Sequence, residues 1–167
     1  MLVARLEPEN NIETIIEGVL KSKSSEPLLI IGNYEIPHGQ YLYAKYYSEK
    51  RIKFLGGIYD LEVLDNLRYF SNNYFHGHSV GGTNPSLLEA MASSAKICAH
   101  DNPYNRSVLE NDGLFFKTPD DIAELIDKGE SKEDSKGYLE RNRQKVKDNF
   151  LLEDVIDQYY NLFQFKK

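Results

Sequence analysis

The 167-residue chain has no tryptophan, a single cysteine and no long apolar run. One cysteine excludes a disulfide within the chain. Its setting, Lys96-Ile97-Cys98-Ala99, marks Cys98 as a small buried side chain in a reducing compartment. No stretch reaches the apolar length of a membrane span, and no signal peptide is visible. Basic excess is lacking too: 20 lysines and arginines face 26 acidic residues, a net charge of −6. That balance argues against a nucleic-acid partner, which calls for a concentrated basic surface. Neither an internal repeat nor a low-complexity segment breaks the chain. A Cys/His cluster at metal-ligand spacing is also missing, so no metal and no cofactor is expected.

What is present fits one globular domain: 41% hydrophobic and 28% charged residues in a length that can bury a stable core. Met1-Leu2-Val3-Ala4 reads as the end of a buried strand with nothing before it, so the chain is expected to be a fragment whose preceding domain is missing. Ile12, Ile15, Ile16, Val19 and Leu20 carry the spacing of an amphipathic helix. Leu28-Leu29-Ile30-Ile31 is the next buried strand, and a tyrosine-rich helix from about Gly39 to Lys50 is expected to pack its aromatic face on the sheet. Arg51 to Leu55 gives a third strand ending in Gly56-Gly57, and Leu61 to Phe70 a helix capped by Asp60. Tyr74-Phe75-His76, Lys96 to Ala99 and Gly113 to Phe116 complete the strands, and Thr118 caps a helix over Pro119 to Lys128. The charged stretch from Asp127 to Asp148 is expected to be a solvated helix face. Residues 150–167 are expected to form a C-terminal helix, rich in large apolar side chains, that docks on the 1–149 domain or on the missing one.

Alternating strands and helices predict an α/β fold: a Rossmann-like parallel sheet with helices on both faces. Ligands then bind beyond the carboxyl ends of the strands, where Arg5, Gly56-Gly57, His76 to Thr83 and His100-Asp101 would gather. The richest segment there is His76-Gly77-His78-Ser79-Val80-Gly81-Gly82-Thr83-Asn84-Pro85-Ser86-Leu87-Leu88-Glu89. Gly81 and Gly82 allow positive φ or a close ligand approach, and Thr83 or Asn84 can cap the helix that Pro85 begins. Such a helix start suits a phosphate, and Glu89, one turn inside, can accept hydrogen bonds from a neutral diol. A sugar nucleotide has both groups. Ser86-Leu87-Leu88-Glu89 equally fits a capping box, in which Glu89 only reaches back to its own helix start. Arg5 alone reads as well as a surface arginine. His76 and His78 share one face of an extended segment, which leaves a metal pair conceivable; the more natural reading is that one histidine hydrogen-bonds in the sheet while the other faces the crevice. Asp101 and Asn102 read as turn caps, and Asn105 and Arg106 as surface groups.

Taken together, Ala4-Arg5-Leu6-Glu7-Pro8-Glu9-Asn10, Phe54-Leu55-Gly56 and Asn84 to Ala92 resemble the C-terminal, donor-binding domain of GT-B glycosyltransferases of family 4. The segment from His76 to Pro85 resembles, more narrowly, their bacterial rhamnosyltransferase-like branch. The resemblance implies a retaining transfer of a sugar, rhamnose as first choice, from a nucleotide diphosphate donor to a carbohydrate or lipid-linked acceptor brought by the N-terminal domain. It implies the synthesis of surface polysaccharide, in the cytoplasm or at the inner face of the membrane, and an isolated fragment that transfers nothing. Arg5, His78 and Glu89 are its candidate catalytic residues. Asn10, Gly57, Ile58, His76, Gly81, Gly82, Thr83, Asn84, Ser86 and Leu87 join them as candidate donor contacts. Two departures stand out: Gly81 occupies the place of the motif's first glutamate, and Asn10 that of the usual lysine. A non-catalytic nucleotide-binding or regulatory module and a sugar-nucleotide epimerase half remain as other readings of the same fold.

Overall fold

The computed structural model describes residues 1–150 together with Ile156, Tyr160, Asn161 and Phe163. Apart from these, the expected helix over 150–167 lies outside the described residues. Six strands run in parallel: β1 (Leu2–Val3), β2 (Leu28–Ile31), β3 (Ile52–Gly56), β4 (Tyr74–His76), β5 (Ile97–His100) and β6 (Leu114–Phe116). They form two three-stranded ladders, β1-β2-β3 and β4-β5-β6. Met1 joins the ladders, its amino group donating to the Asn73 carbonyl at 2.7 Å and its carbonyl accepting from Phe75 N at 2.8 Å. The resulting order is 3-2-1-4-5-6, and the chain reverses direction of travel across the sheet between β1 and β4.

Each strand feeds a helix whose apolar stripe faces the sheet. On one face lie α1 (Ile12–Lys21), α2 (Pro37–Tyr46) and α6 (Pro119–Lys128). Their Ile12, Ile15, Ile16, Val19, Leu42 and Ile122 close on Leu28, Ile30, Ile52, Phe75, Cys98 and Phe116. The opposite face carries α3 (Leu61–Phe70), α4 (Pro85–Ala92) and α5 (Pro103–Leu109), with Leu64, Leu87, Ala90, Met91, Val108 and Leu109 on Tyr74, Ile97 and Ala99. Strand alternation sends Phe75 and Cys98 to the first face and Tyr74, Ile97 and Ala99 to the second. Each large side chain so buried contributes about 1.5–3 kcal/mol relative to exposure. Cys98 is fully buried and free, and burial pushes its thiol up to about 12.

Caps set the helix starts. Asp60 accepts from Val63 N, and Thr118 and Asp121 form a reciprocal capping box at α6. The charged stretch is α7 (Lys132–Asn149), largely solvated, and its inner side is tied to buried Asp112. Arg141 reaches Asp112 at 2.6 Å and Lys145 at 2.8 Å, while Asn142 Nδ2 donates to the Asp112 carbonyl at 2.6 Å. Burial alone would raise the Asp112 carboxyl; the bonds from Arg141 and Lys145 outweigh it and hold the pKa below the usual range.

Two sequence expectations need correction. The tyrosine stripe does not lie on the sheet: Leu42 and Tyr46 do, whereas Tyr41, Tyr43 and Tyr47 are exposed. A stretch with only 10 helical residues and a cluster of rings turns those rings toward each other, with Tyr34 and Tyr43 stacked at 4.9 Å. Helix α5 was not anticipated, because Asn102-Pro103, a cap followed by a proline at the first helical position, was read as a plain turn.

Candidate functional site

The crevice lies where β1 and β4 part at their carboxyl ends, and two loops line it. The β1–α1 loop, Arg5 to Asn11, contains a 3₁₀ turn at Pro8–Asn10 and is knitted to the β4–α4 loop. Asn10 Nδ2 donates to the Arg5 carbonyl at 2.7 Å, and Asn11 Nδ2 to the Gly77 carbonyl at 2.8 Å. The Glu9 carbonyl accepts from Ser79 N and from Ser79 Oγ. Gly77 is pressed against this seam: a Cβ there would stand 2.0 Å from the Asn10 carbonyl oxygen. Arg5 itself is exposed, and its guanidinium makes no hydrogen bond among the described residues. Asn10 corrects the sequence reading, for it is buried and spends its amide on the loop's own backbone instead of facing a diphosphate.

Beyond Ser79 the second loop opens. Gly81 has φ +94°, a conformation costly for a side chain, and a Cβ on either Gly81 or Gly82 would meet nothing within 4 Å. The amides of Gly81, Gly82 and Thr83 make no hydrogen bond among the described residues. The start of α4 is already satisfied. Asn84 Oδ1 accepts from Ser86 N at 3.0 Å and from Ser86 Oγ at 2.9 Å, and the Asn84 carbonyl accepts from Leu87 N and Leu88 N. The free donors therefore belong to the glycine run and not to the helix's first turn, and Leu87 is a core residue whose side chain is buried.

Asn84 also decides the capping question. With Asn84 as the cap, Glu89 is not at the capping-box position. Its carboxylate instead takes Arg68 from α3 at 2.5 Å, and its side chain stays 46% exposed. Arg68 has no exposure, also bonds Asp65 Oδ1 at 3.0 Å, and lies beside Tyr74, whose hydroxyl reaches the Ser86 carbonyl. Sequence reasoning missed Arg68 entirely.

His76 and His78 stack ring on ring, with centroids 4.4 Å apart and planes 14° from parallel. The expectation that one would hydrogen-bond within the sheet fails: both ring nitrogens of His76 and Nδ1 of His78 are buried without a partner among the described residues. Burial, with a smaller push from His78, lowers His76 to about 3. His78 is lowered too, by burial first and then by the Arg5 charge, with Glu9 opposing. His78 thus feels both the Arg5 and the Glu9 charge. The His78 backbone is gripped from β5 and α5, since Asn102 Nδ2 and Asn105 Nδ2 each donate to its carbonyl at 3.0 Å. Asn105 is thus buried, contrary to its surface reading, while Arg106 is indeed outside, paired with Asp101 at 2.6 Å. After β3, Gly57 is exposed beside the Tyr59 ring and Ile58 leans on the second core cluster; no contact brings either one to the Arg5 or Gly81 loop among the described residues.

Among the described residues no group of three or more His, Cys, Asp or Glu could hold a metal, and no helix is long and apolar enough to cross a membrane. A cavity of about 560 Å³ opens at the opposite edge of the sheet among Met1, Pro27, Asn73 and Lys96, and no candidate residue lines it.

A parallel 3-2-1-4-5-6 sheet with helices on both faces is a Rossmann-like fold of the GT-B type. Residues 1–146 match the family model of glycosyl transferases group 1, and the chain belongs to that family. Among solved structures it is similar to Anabaena Alr3699/HepE in complex with UDP and glucose, at 15% identity and a TM-score of 0.82, over 98% of this chain and 47% of that one. Sucrose-phosphate synthase from Thermosynechococcus elongatus gives 18% and 0.81, over 98% and 44%. A glycosyltransferase from Rickettsia africae gives 16% and 0.79, over 98% and 46%. The chain thus spans about half the length of these structures, whose low identity speaks for the fold. No curated protein sequence matches it.

Proposed function

We propose that this chain is the donor-binding half of a retaining glycosyltransferase that moves a hexose, with rhamnose as first choice, from a nucleoside diphosphate to an acceptor used in surface polysaccharide synthesis. One observation carries the reading. The Gly81–Thr83 amides make no hydrogen bond among the described residues, space is open beside Gly81 and Gly82, and the half-exposed Glu89 is fixed in the helix that follows. Amides of that kind cradle a diphosphate, and a carboxylate fixed beyond them accepts from sugar hydroxyls. UDP and glucose in the Anabaena neighbour agree with such a ligand.

In this reading Arg5 and the glycine amides hold the diphosphate, Glu89 binds the nucleoside's pentose through its 3′-hydroxyl, the main chain at Gly57 and Ile58 meets the base, and His78 lies beside the sugar phosphate. As the bond from the anomeric carbon to the diphosphate breaks and the acceptor oxygen takes its place, charge grows on the leaving group. Fixed donors stabilise it without reorganising. Gly81 provides no carboxylate beside the donor sugar, which suits a sugar lacking its 6-hydroxyl, such as that of a deoxythymidine diphosphate rhamnose. The acceptor, carbohydrate or lipid-linked, is held by a second domain at the inner face of the membrane. A longer protein carrying both halves, given donors and lipid-linked acceptors, is expected to transfer sugar and to lose that transfer in Glu89→Gln; transfer indifferent to Glu89 would refute the reading.

Gly81 and the inward turn of Asn10 favour a second reading, a nucleotide-binding module without catalysis. It predicts affinity for the nucleoside diphosphate that ignores the attached sugar.

A further inference from the structure

We infer that Arg68 is a positioning residue of the donor site, holding Glu89 by one carboxylate oxygen so that the other is kept for the sugar ring of a bound nucleotide. The inference rests on the proposed donor-binding role of Glu89. Arg68 sits in the last turn of α3, where the segment Asn66-Leu67-Arg68-Tyr69 would ordinarily present an exposed cation to the helix's carboxyl end. It is instead without solvent exposure, among Leu64, Tyr74 and the underside of α4. Burying a guanidinium is costly unless it is paired and hydrogen-bonded. Here the pairing is incomplete, for Nε has no partner among the described residues.

As a stabilising device this arrangement is poor, since an apolar side chain would fill the same space without desolvating a charge. As a clamp it is effective. The Arg68 fork engages Asp65 with one amino group and Glu89 with the other, and both acceptors reach the surface, with side-chain exposures of 58% and 46%. Glu89 Oε1 makes no hydrogen bond among the described residues. A glutamate free in solution loses rotamer freedom on being fixed. A carboxylate already fixed from below avoids that loss when a hydroxyl arrives, which is the advantage of preorganisation.

The test is calorimetric, on the full chain, with deoxythymidine diphosphate against its 3′-deoxy analogue and uridine diphosphate against 3′-deoxyuridine diphosphate. In the unsubstituted chain, loss of the 3′-hydroxyl should weaken binding about tenfold or more, the range for an unmatched buried polar partner. In Arg68→Met that penalty should shrink to within about twofold, as in Glu89→Ala, while Arg68→Lys, which keeps the charge but not the fork, should fall between. Thermal unfolding of each variant separates folding from positioning, and if Arg68→Met does not fold, Arg68→Lys and Arg68→Gln carry the comparison. An Arg68 variant that is less stable yet keeps the full hydroxyl penalty overturns the inference alone. A chain that binds neither diphosphate overturns the donor-binding reading and the inference with it.

Discussion

The two loops that face each other across the β1/β4 divide are built for opposite purposes. The Arg5–Asn11 loop directs its two asparagine side chains to backbone: Asn10 to the Arg5 carbonyl and Asn11 to that of Gly77. The Gly81–Thr83 run leaves its amides without partners among the described residues, with open space beside Gly81 and Gly82. One is a strut and the other a cradle. The comparison teaches that a missing ligand-type residue need not be a gap in a binding site. Asn10 stands where a lysine would be expected, yet the structure uses that side chain to set the height of the strut. Arg5 keeps a positive charge in the same loop, exposed and without a hydrogen-bond partner for its guanidinium among the described residues.

Breaking the strut should have the largest effect at neutral pH. Gly77→Val drives a side chain into the Asn10 carbonyl, with no flexible neighbour to yield, and should cost about 3 kcal/mol in denaturant unfolding. Next comes acid. His76 is held neutral with a pKa of about 3 in the fold, against 6.5 for the free side chain. Below about 6.5 the unfolded chain binds a proton that the folded one refuses, so this contribution is intact above that value and is lost as the pH falls toward 3. The slope approaches about 1.4 kcal/mol per pH unit. His76→Leu should flatten stability over that window, as read by unfolding midpoints across pH. Asn10→Lys separates strut from cradle: it should destabilise the fold by about 1–3 kcal/mol, through loss of the bond to the Arg5 carbonyl, without tightening diphosphate binding. The smallest effects on stability belong to the cradle. Gly81→Ala should cost about 1–2 kcal/mol because of its positive φ. Gly82→Ala should change stability by less than about 0.5 kcal/mol and still weaken nucleotide binding.

Much of this fold was legible because its signals are local. Apolar runs marked the strands, and Asp60, Asn84-Pro85 and Thr118-Pro119 marked helix starts within a few residues. The glycine turn before α4 was legible for the same reason. What escaped depends on distance along the chain. Nothing near Arg68 announces that Glu89, 21 residues later, will draw it beneath α4. Asn105 looks like a surface residue until β5 and β4 align and bring the His78 and His100 carbonyls to its amide. The histidine pair was half legible: alternation places both rings on one face, but it does not announce that they stack or that their buried ring nitrogens find no partner among the described residues. The aromatic stripe of α2 misled because tyrosine rings satisfy one another at a surface as readily as they fill a core.

The central claim is that Glu89 serves a nucleotide and does not merely complete an ion pair. The most direct measurement is a calorimetric titration of the chain with uridine, guanosine and deoxythymidine diphosphates and their sugar conjugates, repeated on Glu89→Ala. The account predicts that one nucleotide binds and that Glu89→Ala weakens it by about 1–3 kcal/mol. Binding of equal strength in the two proteins would contradict it and reduce Glu89 to the partner of a buried arginine.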